Sequence, residues 1–131
     1  MARLVLDQAF DRGSLAEMRA AVARSANGLG ASAAQSDHLV LVASELVTNA
    51  IAYAGGSGRV RVWSNGTALY CRVSDEGPGI PDAESKGIVR PSPDSVSGRG
   101  IWVARSLAES IDIDTGPGGT SITVMMRLTP P

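Results

Sequence analysis

The chain has 131 residues, a net charge of −1 and a pI of about 5.7, a length that suits one domain burying about two-thirds of the surface its unfolded form exposes. Its basic residues are scattered singly and aromatics make up only 4%, which excludes a strong field for nucleic acid or anionic membrane and a platform for stacking bases. A single cysteine, Cys71, excludes an internal disulfide and a Cys-rich zinc site. With no leader-like start and no apolar run near the ~20 residues of a membrane span, the expectation is one cytoplasmic domain over residues 1–131.

In chain order, residues 3–10 read as a first strand, followed by a turn at Asp11-Arg-Gly13. Ser14 with Glu17 has the spacing of a capping box and opens an alanine-rich helix with Leu15, Met18 and Val22 on one face. That helix stops near Asn27-Gly28. A second helix is expected from about Ala33 to Ala54, where Leu39, Val42, Leu46, Ala50 and Tyr53 form a core-facing stripe. Gly55-Gly-Ser-Gly58 ends it.

Two strand patterns follow, Arg59–Trp63 and Ala68–Val73, with Asn65-Gly66 between them as a hairpin signal. Cys71 falls in the second and reads as a packed thiol. Residues 76–97 hold four of the seven prolines and no sustained period, a long loop of the kind that is usually functional. A third helix is expected over Gly100–Ser110, then a strand at Ile111–Asp114, a turn at Thr115–Gly119 and a last strand at Ser121–Leu128. The order β-α-α-β-β-loop-α-β-β predicts an α+β two-layer sandwich, a mixed and mostly antiparallel sheet with three helices on one face.

Three segments carry chemistry. In Glu45-Leu-Val-Thr-Asn49-Ala a carboxylate and an amide stand one helical turn apart on one side of the second helix. An amide oxygen is a hard ligand suited to Mg²⁺, which takes few protein ligands and completes its shell with water and phosphate oxygens. A carboxylate beside it can deprotonate or orient a water or alcohol attacking a γ-phosphate.

In Asp75-Glu-Gly77-Pro-Gly79-Ile80 an aspartate closes a strand and glycines follow at +2 and +4. The carboxylate can accept a hydrogen bond from the adenine amino group, while a missing side chain lets the base approach the backbone. Ser97-Gly98-Arg99-Gly100-Ile101 then leads into the third helix, whose first turn has free N–H groups and the positive end of its dipole facing an anion. Arg99 adds a charge-assisted phosphate contact. Gly118-Gly119-Thr120 opens the last strand. No Gly-x-x-x-x-Gly-Lys-Ser/Thr segment exists, so this is not a P-loop. Together these segments describe a pocket for ATP and its magnesium.

These motifs resemble those of the GHKL (Bergerat-fold) superfamily of ATP-binding domains. Glu45-Leu-Val-Thr-Asn49-Ala is similar to its N box, Asp75-Glu-Gly77-Pro-Gly79 to its first glycine box, Ser97-Gly-Arg-Gly100-Ile to its second and Gly119-Thr120 to its last. Within the superfamily the chain looks most like the small stand-alone anti-sigma-factor serine/threonine kinases.

The resemblance implies that Glu45 is the general base, Asn49 the Mg²⁺ ligand and Asp75 the adenine anchor. Gly77, Gly79 and Ile80 would shape the base pocket, Gly98, Arg99, Gly100 and Ile101 would line the phosphates beside a lid loop at about 81–97, and Thr120 would lie near the adenine. It also implies phosphorylation of an anti-anti-sigma (STAS-type) protein, capture of a sigma factor, and a homodimer. The alternative from another class is a binding module that holds a partner without phosphorylating it. The catalytic half of a sensor histidine kinase is less expected. No dimerisation helix with a phospho-accepting histidine precedes the first strand, and the sole histidine, His38, falls inside the second helix.

Overall fold

The computed structural model describes residues 3–53, 55–77 and 99–128. The elements are β1 (Arg3–Phe10), α1 (Leu15–Gly28), α2 (Ala33–Tyr53), β2 (Gly58–Ser64), β3 (Ala68–Asp75), α3 (Arg99–Leu107), β4 (Ser110–Gly116) and β5 (Gly119–Arg127). The strands form one sheet in the order β1-β2-β3-β5-β4. All four pairings among the described residues are antiparallel. The α+β sandwich expected from the element order is the observed fold.

Alternation along the strands decides which face the helices cover. Val60 and Val62 of β2, Leu69, Cys71 and Val73 of β3, and Ile122, Val124 and Met126 of β5 are buried in one cluster with Met18 and Val22 of α1, Leu39, Val42, Leu46 and Val47 of α2, and Ile101 and Ala104 of α3. The other face keeps the polar half of each strand. There Trp63 and Tyr70, directly opposed across β2 and β3, stack with centroids 5.3 Å apart, and the Arg72 guanidinium lies 5.3 Å from the Trp63 ring centre. Asp7 accepts a hydrogen bond from Arg59 and stands 3.4 Å from Arg61. The Arg59 bond is the main reason its carboxyl is held below the usual carboxylate range.

The local signals fared unevenly. The Ser14 hydroxyl makes no cap to the α1 backbone; it turns back to Asp11, accepting from its N–H at 2.8 Å. The capping box forms instead at α2. Ser32 Oγ accepts from the Gln35 N–H and Gln35 Oε1 accepts from the Ser32 N–H, each at 3.1 Å. Gly30, at φ 97°, closes α1 with bonds from its N–H to Asn27 O and from Ala31 N–H to Ala26 O, the two bonds of a Schellman motif.

The last three elements differ from expectation in extent. α3 stops at Leu107 because the Glu109 N–H is captured by Met125 O of β5 at 2.9 Å. β4 runs on through Thr115 to Gly116, which pairs with Gly119, so Pro117-Gly118 alone makes the turn that the composition spreads over 115–119.

Candidate functional site

Glu45 and Asn49 project from the C-terminal half of α2, both half-buried, among neighbours (Leu46, Val47 and Ala50) that are fully packed. The first turn of α3 is laid across this segment. A Cβ placed on Gly100 would stand 3.1 Å from the Glu45 carbonyl oxygen, 3.2 Å from Asn49 Cγ, and inside contact distance of Asn49 Nδ2. Gly100 is buried and Ile101 beside it is 1% exposed in the core. The glycine is therefore what lets the α3 N-terminus sit against the asparagine. Gly100 is thereby brought to Asn49, while Ile101 is packed into the core.

Around Glu45 the surface forms a groove of about 400 Å³ lined by Arg19, Asp37, Leu41, Ser44, Glu45 and Thr48. Arg19 Nε donates to Ser44 Oγ at 2.9 Å, tying α1 to α2 next to the carboxylate. Leu41, 46% exposed, is an apolar side chain left open beside it.

Asp75 ends β3 directly opposite Thr120 of β5, which in turn opposes Thr115 of β4. Directly opposed residues share a sheet face. The three continue the parity of Val73, Ile122 and Ile113, so the row lies on the helix-covered face. Thr120 is 4% exposed, and its Oγ1 is hydrogen-bonded to Thr115 Oγ1 at 2.8 Å. Asp75 Oδ1 accepts from the Gly77 N–H at 2.9 Å, an Asx turn that bends the chain away from the sheet. Gly119, at φ 144°, passes so close to Asp75 that a Cβ there would stand 3.1 Å from Glu76 Cα and overlap the Asp75 carbonyl. The close approach of β5 to the end of β3 thus requires glycine.

A cleft of about 770 Å³ opens at this end of the sheet, lined by Asp75, Glu76 and Gly77 together with Gly55, Ser57, Gly58 and Pro117. Gly55 follows α2 almost at once, so the helix bearing Asn49 leads into the cleft that Asp75 borders. Gly58 lines it for a reason of packing: a Cβ there would stand 2.9 Å from Phe10 Cε2 and overlap the Ser74 carbonyl. Gly79, Ile80, Gly98 and the 81–97 lid lie outside the described residues, as do the side chains of Arg99 and Tyr53; Arg99 is the first residue of α3. Thr115 is the residue that the sequence did not single out. The alternation Ile111, Ile113, Thr115 carries its signal, masked by the turn residues that follow.

Among the described residues no three His, Cys, Asp or Glu side chains come together as a metal cage. The half-buried Asn49 side chain, whose Nδ2 lies against Gly100, has one amide oxygen, the kind of ligand that fits a magnesium ion arriving with phosphate and keeping its waters. Cys71 is fully buried and burial pushes its thiol up to about 12, so it has no part in nucleophilic chemistry. No described helix is long and apolar enough to cross a membrane.

An open antiparallel sheet with three helices on one face, and an asparagine-bearing helix clasped by a glycine at the mouth of another, define the GHKL ATPase fold. The model of the histidine kinase-like ATPase domain matches residues 9–126, and the chain belongs to that family.

Among solved structures, the RsbU and RsbW domains of Rv1364c from Mycobacterium tuberculosis superpose with a TM-score of 0.68 at 20% identity, over 97% of this chain and 33% of that one. The chain thus spans about a third of that protein's length. A chain of the SiaB–SiaC complex from Pseudomonas aeruginosa gives 0.65 at 10% identity, covering 96% of this chain and 91% of that one. The Acinetobacter baumannii histidine kinase AdeS gives 0.58 at 16% identity, covering 96% and 69%. At such identities the likeness is one of fold. No match is found among curated proteins.

Proposed function

We propose that this chain is an ATP-dependent anti-sigma-type regulator that phosphorylates a serine or threonine of a STAS-type anti-anti-sigma protein and so controls the availability of a sigma factor. The observation that carries the reading is the seating of Gly100 on Asn49. It supports the reading because it sets the α3 N-terminus, a suitable phosphate site, against Asn49, a suitable magnesium ligand. The polar row that begins at Asp75, on the same face of the sheet, supports a base-reading end there. The likeness in fold to structures titled for RsbW domains and for the SiaB–SiaC complex supports the choice of partner class.

In this reading the N–H groups of the first turn of α3 receive the phosphates, and Asn49 would hold a magnesium ion, whose charge would offset that of the phosphates. Glu45 accepts the proton of the partner's hydroxyl as its oxygen bonds to the γ-phosphorus and the bond to ADP breaks. Phosphoryl transfer asks for positioning and charge compensation more than covalent chemistry, and the partner supplies the nucleophile. The groove of Arg19, Leu41 and Glu45 is where that hydroxyl would enter.

One observation favours the second reading, a binding module without transfer: Glu45 lines the α1–α2 groove, whereas Asn49 faces Gly100. A single-turnover experiment with Mg-ATP and a STAS-type protein encoded beside this chain tests both. Phosphate on the partner, lost by about a hundredfold or more in Glu45→Ala with ATP affinity unchanged, is the expected result. Transfer at the unaltered rate in Glu45→Ala removes the base from the mechanism. No transfer by the unaltered protein, with ATP and partner both bound, leaves the binding module.

A further inference from the structure

We propose that the face of the sheet opposite the helices is the surface through which two copies of this chain associate, centred on the apolar row Leu4, Trp63, Tyr70 and Met125. This goes beyond the nucleotide reading and is independent of it.

The row follows from strand register. Leu4 of β1 is opposite Trp63 of β2, Trp63 is opposite Tyr70 of β3, and Tyr70 is opposite Met125 of β5. Directly opposed residues share a face, and the alternating neighbours Val62, Leu69, Cys71 and Val124 are in the helix-covered core. The uncovered face of an antiparallel sheet is ordinarily polar. Here Leu4 is 56% exposed, and Trp63, Tyr70 and Met125 are only half-buried. Trp, Tyr, Met and Arg are the side chains that protein interfaces favour. Trp63 and Tyr70 are already stacked, and Arg72 is held over Trp63 with its Nε donating to Thr123 Oγ1 at 3.0 Å. Side chains fixed in this way lose little freedom on docking.

The charges beside the row point to the occupant. The next two rows on this face carry Arg59, Arg61 and Arg72 on the inner strands β2 and β3, and Asp7, Asp112 and Asp114 on the edge strands β1 and β4. Arg61 stands directly opposite Arg72, and opposed like charges are adverse unless a carboxylate joins them. Asp7 serves Arg59 and Arg61, while Arg72, Asp112 and Asp114 have no ion pair among the described residues. The balance of signs suits neither nucleic acid nor a strongly charged protein. A basic centre with acidic edges does complement a second copy of itself. The strands are seven to nine residues long, so the five-stranded face measures roughly 24 by 24 Å. Two such faces offer about 1,100 Å² in plan and more along their relief, above the roughly 1,000 Å² that a specific interface needs. Glu45 and Asn49 are on α2, across the sheet, so association does not cover them.

The test is the mass of the full chain by light scattering across a range of concentration. The unaltered protein should run at twice the 13.5 kDa of one chain. Leu4→Glu changes an exposed side chain and would bury an unpaired charge in the interface, so the dissociation constant should rise about tenfold or more. Asp112→Lys with Asp114→Lys makes the face basic. Like faces then repel, and a rise of about tenfold or more at low salt should shrink at high salt. Circular dichroism checks that the variants fold, and should Leu4→Glu misfold, the lysine pair decides. Leu41→Glu, on the helix side, should leave the mass unchanged. A single-chain mass for the unaltered protein at every concentration overturns the proposal; capture of a STAS-type protein that is lost in Leu4→Glu would then assign the face to that partner. A doubled mass that the folded variants leave unaltered overturns this face as the interface.

Discussion

The backbone of Gly100, in the first turn of α3, rests directly on the side-chain amide of Asn49 on α2. Replacing a helical glycine with alanine ordinarily stabilises a protein by about 1 kcal/mol. Here the added methyl group meets a fixed Glu45 carbonyl at 3.1 Å and the Asn49 amide closer still, so the asparagine has to turn away. Gly100→Ala is expected to show none of the usual gain in urea unfolding and to weaken Mg-ATP binding about tenfold or more. In an Asn49→Ala background the clash with the amide is gone and only the Glu45 carbonyl contact at 3.1 Å remains, so the same substitution should destabilise less there than in the unaltered protein. A Gly100→Ala protein that is more stable than its parent and binds Mg-ATP equally well would contradict the seating.

Asp75 uses one carboxylate oxygen on the Gly77 N–H, and an asparagine can make that same bond with its amide oxygen. Asp75→Asn should therefore keep the turn and a melting temperature close to that of the unaltered protein. It replaces the second oxygen with a donor, which would face the adenine amino group. ATP affinity is expected to drop about ten- to a hundredfold, the range for a hydrogen bond to a charged group. Isothermal titration of both proteins reads the difference, and equal affinities would detach Asp75 from base recognition.

The Cys71 thiol has a solution value of 9.0 and is pushed up to about 12 by burial in β3. Above pH 9 the unfolded chain releases this proton and the native one holds it, so stability falls as pH rises through the window from 9 to 12. Below pH 9 the thiol is protonated in both states and contributes no slope. Chemical unfolding from pH 8 to 11 should show a decline steeper than that of Cys71→Ala by roughly 1.4 kcal/mol per pH unit above 9. Parallel curves would mean that the thiol ionises in the native state as readily as in solution.

Much of this molecule is written in local pattern. The 3.6-residue stripe of α2, the alternation of β2, β3 and β5, and the glycines that end α2 each act within a few residues, and each appears where the pattern puts it. Ser14 shows the limit of such signals. The Ser-x-x-Glu spacing is present, yet its hydroxyl is taken by the Asp11 turn, while Ser32 and Gln35 form the box that actually caps a helix. Two local hydrogen-bonding solutions competed at Ser14, and spacing does not rank them.

The length of β4 was settled by its pairing with β5. Composition assigns Thr115 to a turn, but pairing with β5 extends the strand through it, because backbone groups beside an existing ladder gain more from joining it than from facing water. That extension creates the Thr115–Thr120 contact.

By itself the sequence determined the order of elements and the faces they bury, and it singled out candidates for a nucleotide site, since periodicity and side-chain chemistry are properties of short stretches. Tertiary structure alone decided that Gly100 lies on Asn49 and that Asp75, Thr120 and Thr115 stand in one row. Gly100 and Asn49, and Asp75 and Thr120, are far apart in the chain, and strand register and helix packing, which depend on the whole core closing at once, set their distances.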